Sequence, residues 1–160
     1  MVPSPHGFYT RNAINTSFSG RILIRRYYCK HCGHTFSYLP SFCLPFFQYT
    51  TEVIFAGLLG HFFNMLPFLR ALILSLHWQR QHMQFYRRRF KANLKRIQLV
   101  LRQLIPGVEL PEPDYIKNDI KTGAQKVLSI VISGFDTIQA FSTRFFAQCN
   151  ISFMAPCKLF

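Results

Sequence analysis

The sequence predicts a mainly α fold: a small N-terminal β-hairpin followed by a bundle of helices. Three observations carry that prediction. Met83, Tyr86, Phe90, Leu94, Ile97, Leu101 and Leu104 recur at alternating spacings of three and four, the signature of one long amphipathic helix. Period-two alternation marks residues 21–28, with Ile22, Ile24 and Tyr28 on one side and Arg21 and Arg25 on the other. Directly after that stretch stand Cys29 and Cys32 in Cys-x-x-Cys spacing, followed at once by Gly33. A glycine there lets the backbone turn tightly.

Taken in order, residues 1–20 are polar, carry glycine and proline, and show no periodicity, so they read as irregular. A return strand over 34–38 closes the hairpin around the cysteine turn, and Pro40 and Pro45 stop the sheet. Thr50 or Thr51 caps a helix that runs to about Phe63, with Asn64 and Pro67 as its breakers. A second helix, short and almost wholly apolar, covers 68–76. Trp78 and Gln79 mark a corner, and the long helix covers 79–104 until Pro106 and Gly107 end it. Residues 109–114, acidic and proline-rich, form a linker. A further helix spans 115–133, with Ile116, Ile120, Ala124, Val127 and Val131 on one face. Gly134 ends it, and Asp136 with Gln139 resembles a capping box opening a last helix to about Gln148. The organisation is thus three regions: 1–48 with the cysteine hairpin, 49–108 basic and helical, and 109–160 helical.

Charge is distributed unevenly. Residues 1–108 hold 14 Lys and Arg against one acid, Glu52, whereas residues 109–160 hold five of each sign. All of the excess of +13 therefore lies in the first two thirds, which points to a polyanionic partner, nucleic acid or an anionic membrane surface. The cysteines at 29, 32, 43, 149 and 157 are odd in number with one close pair, unlike a secreted disulfide framework. A reducing, cytoplasmic compartment is expected. The N-terminus has no charged segment leading into an apolar run, so no signal peptide is expected. Residues 53–69 are uncharged but hold Gly57, Gly60, His61, Asn64 and Pro67, and a span needs ~17–25 residues. They read as buried helices of a globular core rather than a membrane anchor.

Two constellations carry chemistry. Thiolates three residues apart can share one zinc, and a structural zinc takes four ligands. Candidates for the missing two are His6, His31, His34 and Cys43, none of which forms a second tight pair. A vestigial knuckle with free thiols is the plain alternative, and a redox dithiol a third, although the motif does not open a helix. The long helix carries Arg80, Arg87, Arg88, Arg89, Lys91, Lys95, Arg96 and Arg102 and no acid. At 100° per residue, positions 80, 87, 88, 91, 95 and 102 fall between about 60° and 160° to one side of the apolar seam. Such a face lacks its own i,i+4 partners, and DNA phosphates would supply the missing negative charge. With two shorter helices before it, the arrangement is helix-turn-helix-like. A merely solubilising face and a helix lying on a membrane are the alternatives. The predicted DNA contacts are Arg25, Arg26, Arg87, Arg88, Lys91, Lys95 and Arg96. The Ile, Val and Phe stripes of the C-terminal helices read as core or as a homodimer face, Cys149 and Cys157 as buried or free thiols. His61, His77 and His82 are scattered and are not taken as ligands. No phosphate loop, nucleophile elbow or His-Glu-x-x-His is present, and four of six acids crowd into 109–119, so no enzyme is predicted.

The run Arg25-Arg26-Tyr27-Tyr28-Cys29-Lys30-His31-Cys32-Gly33-His34-Thr35-Phe36-Ser37, then Leu39-Pro40 and Leu44-Pro45, resembles the zinc-ribbon domain of bacterial insertion-sequence transposases and their orphan relatives. The stretch 85–101, FYRRRFKANLKRIQLVL, is similar to the helix-turn-helix that follows such domains, and the closing Ser152-Phe153-Met154-Ala155-Pro156 resembles the orphan group. The resemblance covers most of the chain. It implies zinc on Cys29 and Cys32, completed in the family by an upstream Cys-x-x-Cys. Met1 stands where that pair would fall, so the resemblance implies a member truncated at its N-terminus or a decayed copy. The family's catalytic domain has no counterpart here. The expected function is therefore non-catalytic DNA binding. The alternatives are a small membrane-associated protein anchored by 53–76 or a transposase-derived fragment without function.

Overall fold

Residues 3–111 and 119–156 are described by a computed structural model, in which a three-stranded antiparallel sheet precedes five helices. The strands are β1 (Ser4–Ile14), β2 (Ser19–Tyr28) and β3 (Thr35–Ser37), in the order β1-β2-β3. The hairpin of β2 and β3 around the cysteines is the predicted one. β1 corrects the expectation that residues 1–20 are irregular. It is held by pairing with β2 from Ser4 opposite Tyr28 to Ile14 opposite Ser19, interrupted between Pro5 and Phe8, where Gly7 takes φ 101°. Asn15 shapes the turn between them, its side-chain oxygen accepting from the backbone of Ser17 at 2.8 Å and of Phe18 at 2.6 Å.

The sheet is fastened to the helical body at the turn end. The Ile14 amide donates to Gln48 O at 3.0 Å, and the Thr50 amide donates to Ile14 O at 2.9 Å. Arg11 donates to Leu44 O at 3.0 Å and also to Phe47 O. Ile24, opposite Tyr9, is buried, whereas Cys29, five residues further on and just past the end of β2, roughly 17 Å away at strand rise, is half-buried and leads into the exposed residues 30–38.

The helices are α1 (Thr51–Phe62), α2 (Leu66–Ser75), α3 (Arg80–Leu104), α4 (Ile120–Gly134) and α5 (Ile138–Cys149). Thr50 stands at the N-cap of α1 without a side-chain cap bond, while Thr51 Oγ1 donates to Phe42 O at 3.1 Å. Asn64 turns the chain with φ 55°. Pro67 falls in the first turn of α2, where its missing N–H costs nothing, so α2 starts earlier than predicted. Gln79 and His82 form a reciprocal capping box at the start of α3. Asp119 caps α4, accepting from Thr122 N at 3.0 Å. The predicted helix start at 115, Ile116 and part of the predicted linker lie outside the described residues.

The last helix is capped by Thr137, whose hydroxyl accepts from Ala140 N at 3.1 Å, and not by Asp136. Gln139 reaches across to the Glu52 carboxylate instead of back to its own helix end, which undoes the predicted box.

α3 is the axis of the bundle: α1, α4 and α5 all pack on it, and Phe90, Leu94, Ile97 and Leu101 are almost fully buried. Ala124, Val127 and Val131 of α4 and Phe141 and Phe145 of α5 fill the same core, with Phe153 and Met154 closing one side. α2 departs from the expectation of two buried helices over 53–76. α1 is buried along most of its length, but α2 packs chiefly on α1 and buries only Leu72, leaving Leu66, Phe68 and Leu74 exposed. No helix among the described residues is long and apolar enough to cross a membrane.

Candidate nucleic-acid interface and cysteine knuckle

The i,i+3/i+4 seam that buries α3 fixes what faces outward on its other side. Arg80, Arg88, Lys91 and Lys95 are exposed along that side. Arg87 is half-buried at its edge, its guanidinium 3.4 Å from His61 Nε2. Gln81, Gln84, Phe85, Arg87, Arg88 and Lys91 line a surface concavity of about 600 Å³. Three of the six are cationic and two are amides able to donate and accept, a lining suited to phosphate oxygens.

The other predicted contacts lie elsewhere. Arg96 sits on the far side of the seam, half-buried, and donates to Asn93 Oδ1 at 2.9 Å. Arg102 is engaged by the segment that follows, donating to Leu110 O at 3.2 Å and Pro111 O at 3.3 Å. Arg89 lies over the Phe85 ring at 5.1 Å. On the sheet, Arg25 is exposed between the Phe8 and Tyr27 rings, 5.5 and 5.8 Å from their centres, and Arg26 is half-buried opposite Ser37.

His61 reports on this cationic edge. Loss of solvent, with Arg87, Lys91 and Lys121 nearby, holds its pKa below the usual histidine value. A guanidinium only donates, so Nε2 facing Arg87 is the lone-pair nitrogen of a neutral ring. The unfolded chain takes up this proton more readily than the folded one. Stability is therefore intact above the unfolded pKa of about 6.5 and declines as pH falls below it. His61→Gln is expected to flatten the fall in denaturation midpoint below about pH 6.5, and a proton-NMR titration should place the His61 midpoint beneath the ordinary histidine value of about 6.5. A midpoint at or above that value would mean that neither burial nor the nearby cations act on His61.

The cysteine knuckle is built by backbone hydrogen bonds. Cys29 N donates to His34 O and Gly33 N to Cys29 O, both at 2.9 Å, with Gly33 at φ 71°. Backbone amides of Cys32 and His31 point at Cys29 Sγ, and the Cys32 thiol also bonds to it, which holds the Cys29 pKa below the ordinary thiol value. The arrangement favours a thiolate at Cys29, with Cys32 beside it and exposed.

The four candidate partners do not join them. His34 turns its ring to Cys32 O at 2.6 Å, and the His6 ring lies against Tyr28 with centroids 5.7 Å apart. His31 is exposed within the turn. Cys43 is buried beside a cleft of about 660 Å³ between the sheet, the 37–46 segment and α5, and burial raises its pKa despite the charge on Arg11. Burial thus disfavours the thiolate at Cys43. Among the described residues no three His, Cys, Asp or Glu converge on one point. Cys149 donates to Phe145 O at 3.1 Å within α5, and Cys157 lies outside the described residues.

Sequence reasoning missed two polar residues on α3. Asn93 and Gln98 are fully buried, and the apolar seam on either side of them conceals both. The helical projection puts them at about −60° and +80° from Phe90, flanking the seam, which is the one signal that could have found them.

Residues 3–65, covering the sheet, the following segment and α1, match a family described as a domain of unknown function, DUF6431. Comparison with curated proteins and with solved structures returns no match to the chain.

Proposed function

We propose that this chain is a non-catalytic DNA-binding protein related to insertion-sequence transposases, in which the cysteine knuckle is a zinc site and the basic face of α3, in a helix-turn-helix-like setting, contacts DNA. The observation that carries the reading is the exposed cationic row of Arg80, Arg88, Lys91 and Lys95, on a helix that contains no acid. A row of that kind is suited to the phosphate backbone, which supplies affinity without sequence information. Arg25 and Arg26 add cationic groups from the sheet. A structural zinc would rest on Cys29 and Cys32, but the described residues provide two ligands where four are needed. Zinc in this reading has no chemical step to perform.

The test is binding of duplex DNA by fluorescence anisotropy over a range of salt. Replacing Arg87, Arg88 and Lys91 together by alanine is expected to weaken binding by tenfold or more. The slope of log affinity against log salt should become shallower by about 0.9 for each phosphate that is no longer neutralised. Unchanged affinity and slope would remove α3 from the DNA face.

The exposed apolar side chains of α2 favour a second reading, attachment to a membrane surface, with Leu66, Phe68 and Leu74 in the lipid interface. Co-sedimentation with anionic vesicles separates the two. Leu74→Glu should abolish vesicle binding in this second reading and leave DNA binding untouched in the first.

A further inference from the structure

We propose that the exposed face of the three-stranded sheet binds single-stranded DNA, its aromatic side chains stacking on unpaired bases and its arginines meeting the phosphates. The inference takes its polyanion from the DNA reading above, but it names a second surface and a second form of DNA.

Strand register sorts the sheet into two faces, because residues opposite one another point to the same side. Ile24, opposite Tyr9, belongs to the side that holds the buried residues Ala13 and Ile24. Phe8 opposite Arg25, Leu23 opposite Thr10, and Tyr27 opposite Phe36 belong to the other. That other side faces water: Leu23 is 70% exposed, Phe8 60% and Phe36 45%. The solvated side of an antiparallel sheet is ordinarily polar. An apolar one rimmed by charge marks an interaction site.

The side chains already form a row. The Arg25 guanidinium lies over both the Phe8 and the Tyr27 rings, and Tyr27 stacks on Phe36 with ring centres 5.7 Å apart and planes 19° from parallel. The row crosses all three strands, from Phe8 on β1 through Arg25 and Tyr27 on β2 to Phe36 on β3. Its two end rings are the more exposed ones, so each keeps surface for a base. A guanidinium held against rings retains its charge, and the N–H groups at its edge remain to donate to phosphate.

Charge selects the partner. No acid occurs before Glu52, while the strands carry Arg11, Arg21, Arg25 and Arg26. Arg21 and Arg25 stand on the aromatic side, both exposed. A neutral apolar partner, or a second copy of this sheet, would bury those charges without counter-charge, and a polyanion would not. The rings select further. Bases of a duplex stack on one another and present only their edges in the grooves, whereas unpaired bases offer their faces. Aromatics interleaved with cations are the composition of a single-strand platform.

The experiment measures fluorescence anisotropy of the full 160-residue chain with a labelled oligothymidine strand of about 15 nucleotides, which forms no duplex, beside an abasic strand and a duplex of the same length. At equal salt the oligothymidine is expected to bind about tenfold tighter than the abasic strand, since the phosphates are equal and only the bases differ. Phe8→Ala and Phe36→Ala, each checked for native circular dichroism, should weaken oligothymidine binding by about tenfold at unchanged salt slope and leave duplex binding unmoved, and Phe36→Tyr should restore it. Arg25→Gln should instead make the slope shallower by about 0.7, one phosphate contact on a single strand. The triple alanine variant of α3 should lose the duplex and keep the preference for oligothymidine over the abasic strand. Equal binding of those two strands, or oligothymidine binding indifferent to Phe8→Ala and Phe36→Ala, would overturn the stacking face and leave the α3 reading intact. Failure to bind any of the three would overturn both. Anionic vesicles bound through Phe8 and Phe36 in place of oligothymidine would assign the face to a membrane and overturn the inference as well.

Discussion

Phe90→Ala is expected to lower the stability of the chain by about 3–5 kcal/mol, read as a fall in the urea midpoint at unchanged slope. Phe90 lies near the middle of α3, the helix on which α1, α4 and α5 converge, and is 1% exposed. Its ring centre is 5.8 Å from that of Phe62 in α1. Removing the ring costs its transfer out of water, and also leaves a cavity that three helices, each tied to the others, cannot collapse to fill. A domain of this size has about 5–15 kcal/mol in total, so the variant should be close to unfolding at room temperature. A loss under about 1 kcal/mol would mean that α3 is not the axis of the core.

One turn further along, two buried amides on the same helix should respond to substitution with opposite signs. Asn93 Nδ2 donates to Arg89 O at 2.9 Å and to Ala155 O at 2.8 Å, and its oxygen accepts from Arg96 at 2.9 Å. It fastens the C-terminal segment to α3, and Asn93→Ala should cost about 2–3 kcal/mol because buried polar partners lose their bonds. Gln98 is equally buried, but neither its oxygen nor its nitrogen has a hydrogen-bond partner among the described residues. Gln98→Met, close in shape and without the amide, should stabilise by about 1–2 kcal/mol. Equilibrium denaturation of the two variants side by side checks both. A destabilised Gln98→Met would mean that the amide has a partner, such as a bound water.

The elements with a buried face were legible. α3 was found almost to the residue because its seam and its cationic face are separate stripes of one period. The hairpin of β2 and β3 was legible through the alternation around Ile24 and the turn chemistry of Gly33. β1 was not, because a strand held mainly by backbone pairing needs no alternation: only Ala13 along it is buried. α2 misleads in the other direction, since apolar composition does not by itself mean burial: only Leu72 of the short helix is buried in the core, with Ile73 partly buried against it. The last helix cap moved from Asp136 to Thr137 because Gln139, the expected partner, is occupied by Glu52 far away in sequence. For the site, the row of Arg80, Arg88, Lys91 and Lys95 was readable from spacing. The same projection sets Arg96 at about −120° from Phe90, off that face, whereas the engagement of Arg102 was not readable, because it depends on Leu110 and Pro111.

The sheet is fastened to the helices at one end and free at the other, and this divides the chain into parts that open independently. Amides of β1 and β2 near Ser4 and Tyr28 have few buried neighbours, so local opening should exchange their protons long before the helices of the core unfold. Any ligand at the knuckle would then be detected as slowed hydrogen exchange confined to those amides, with the global unfolding energy almost unmoved. The same separation makes the cysteines safe to mutate: their loss should be felt in what the sheet tip holds, and not in whether the rest of the chain folds.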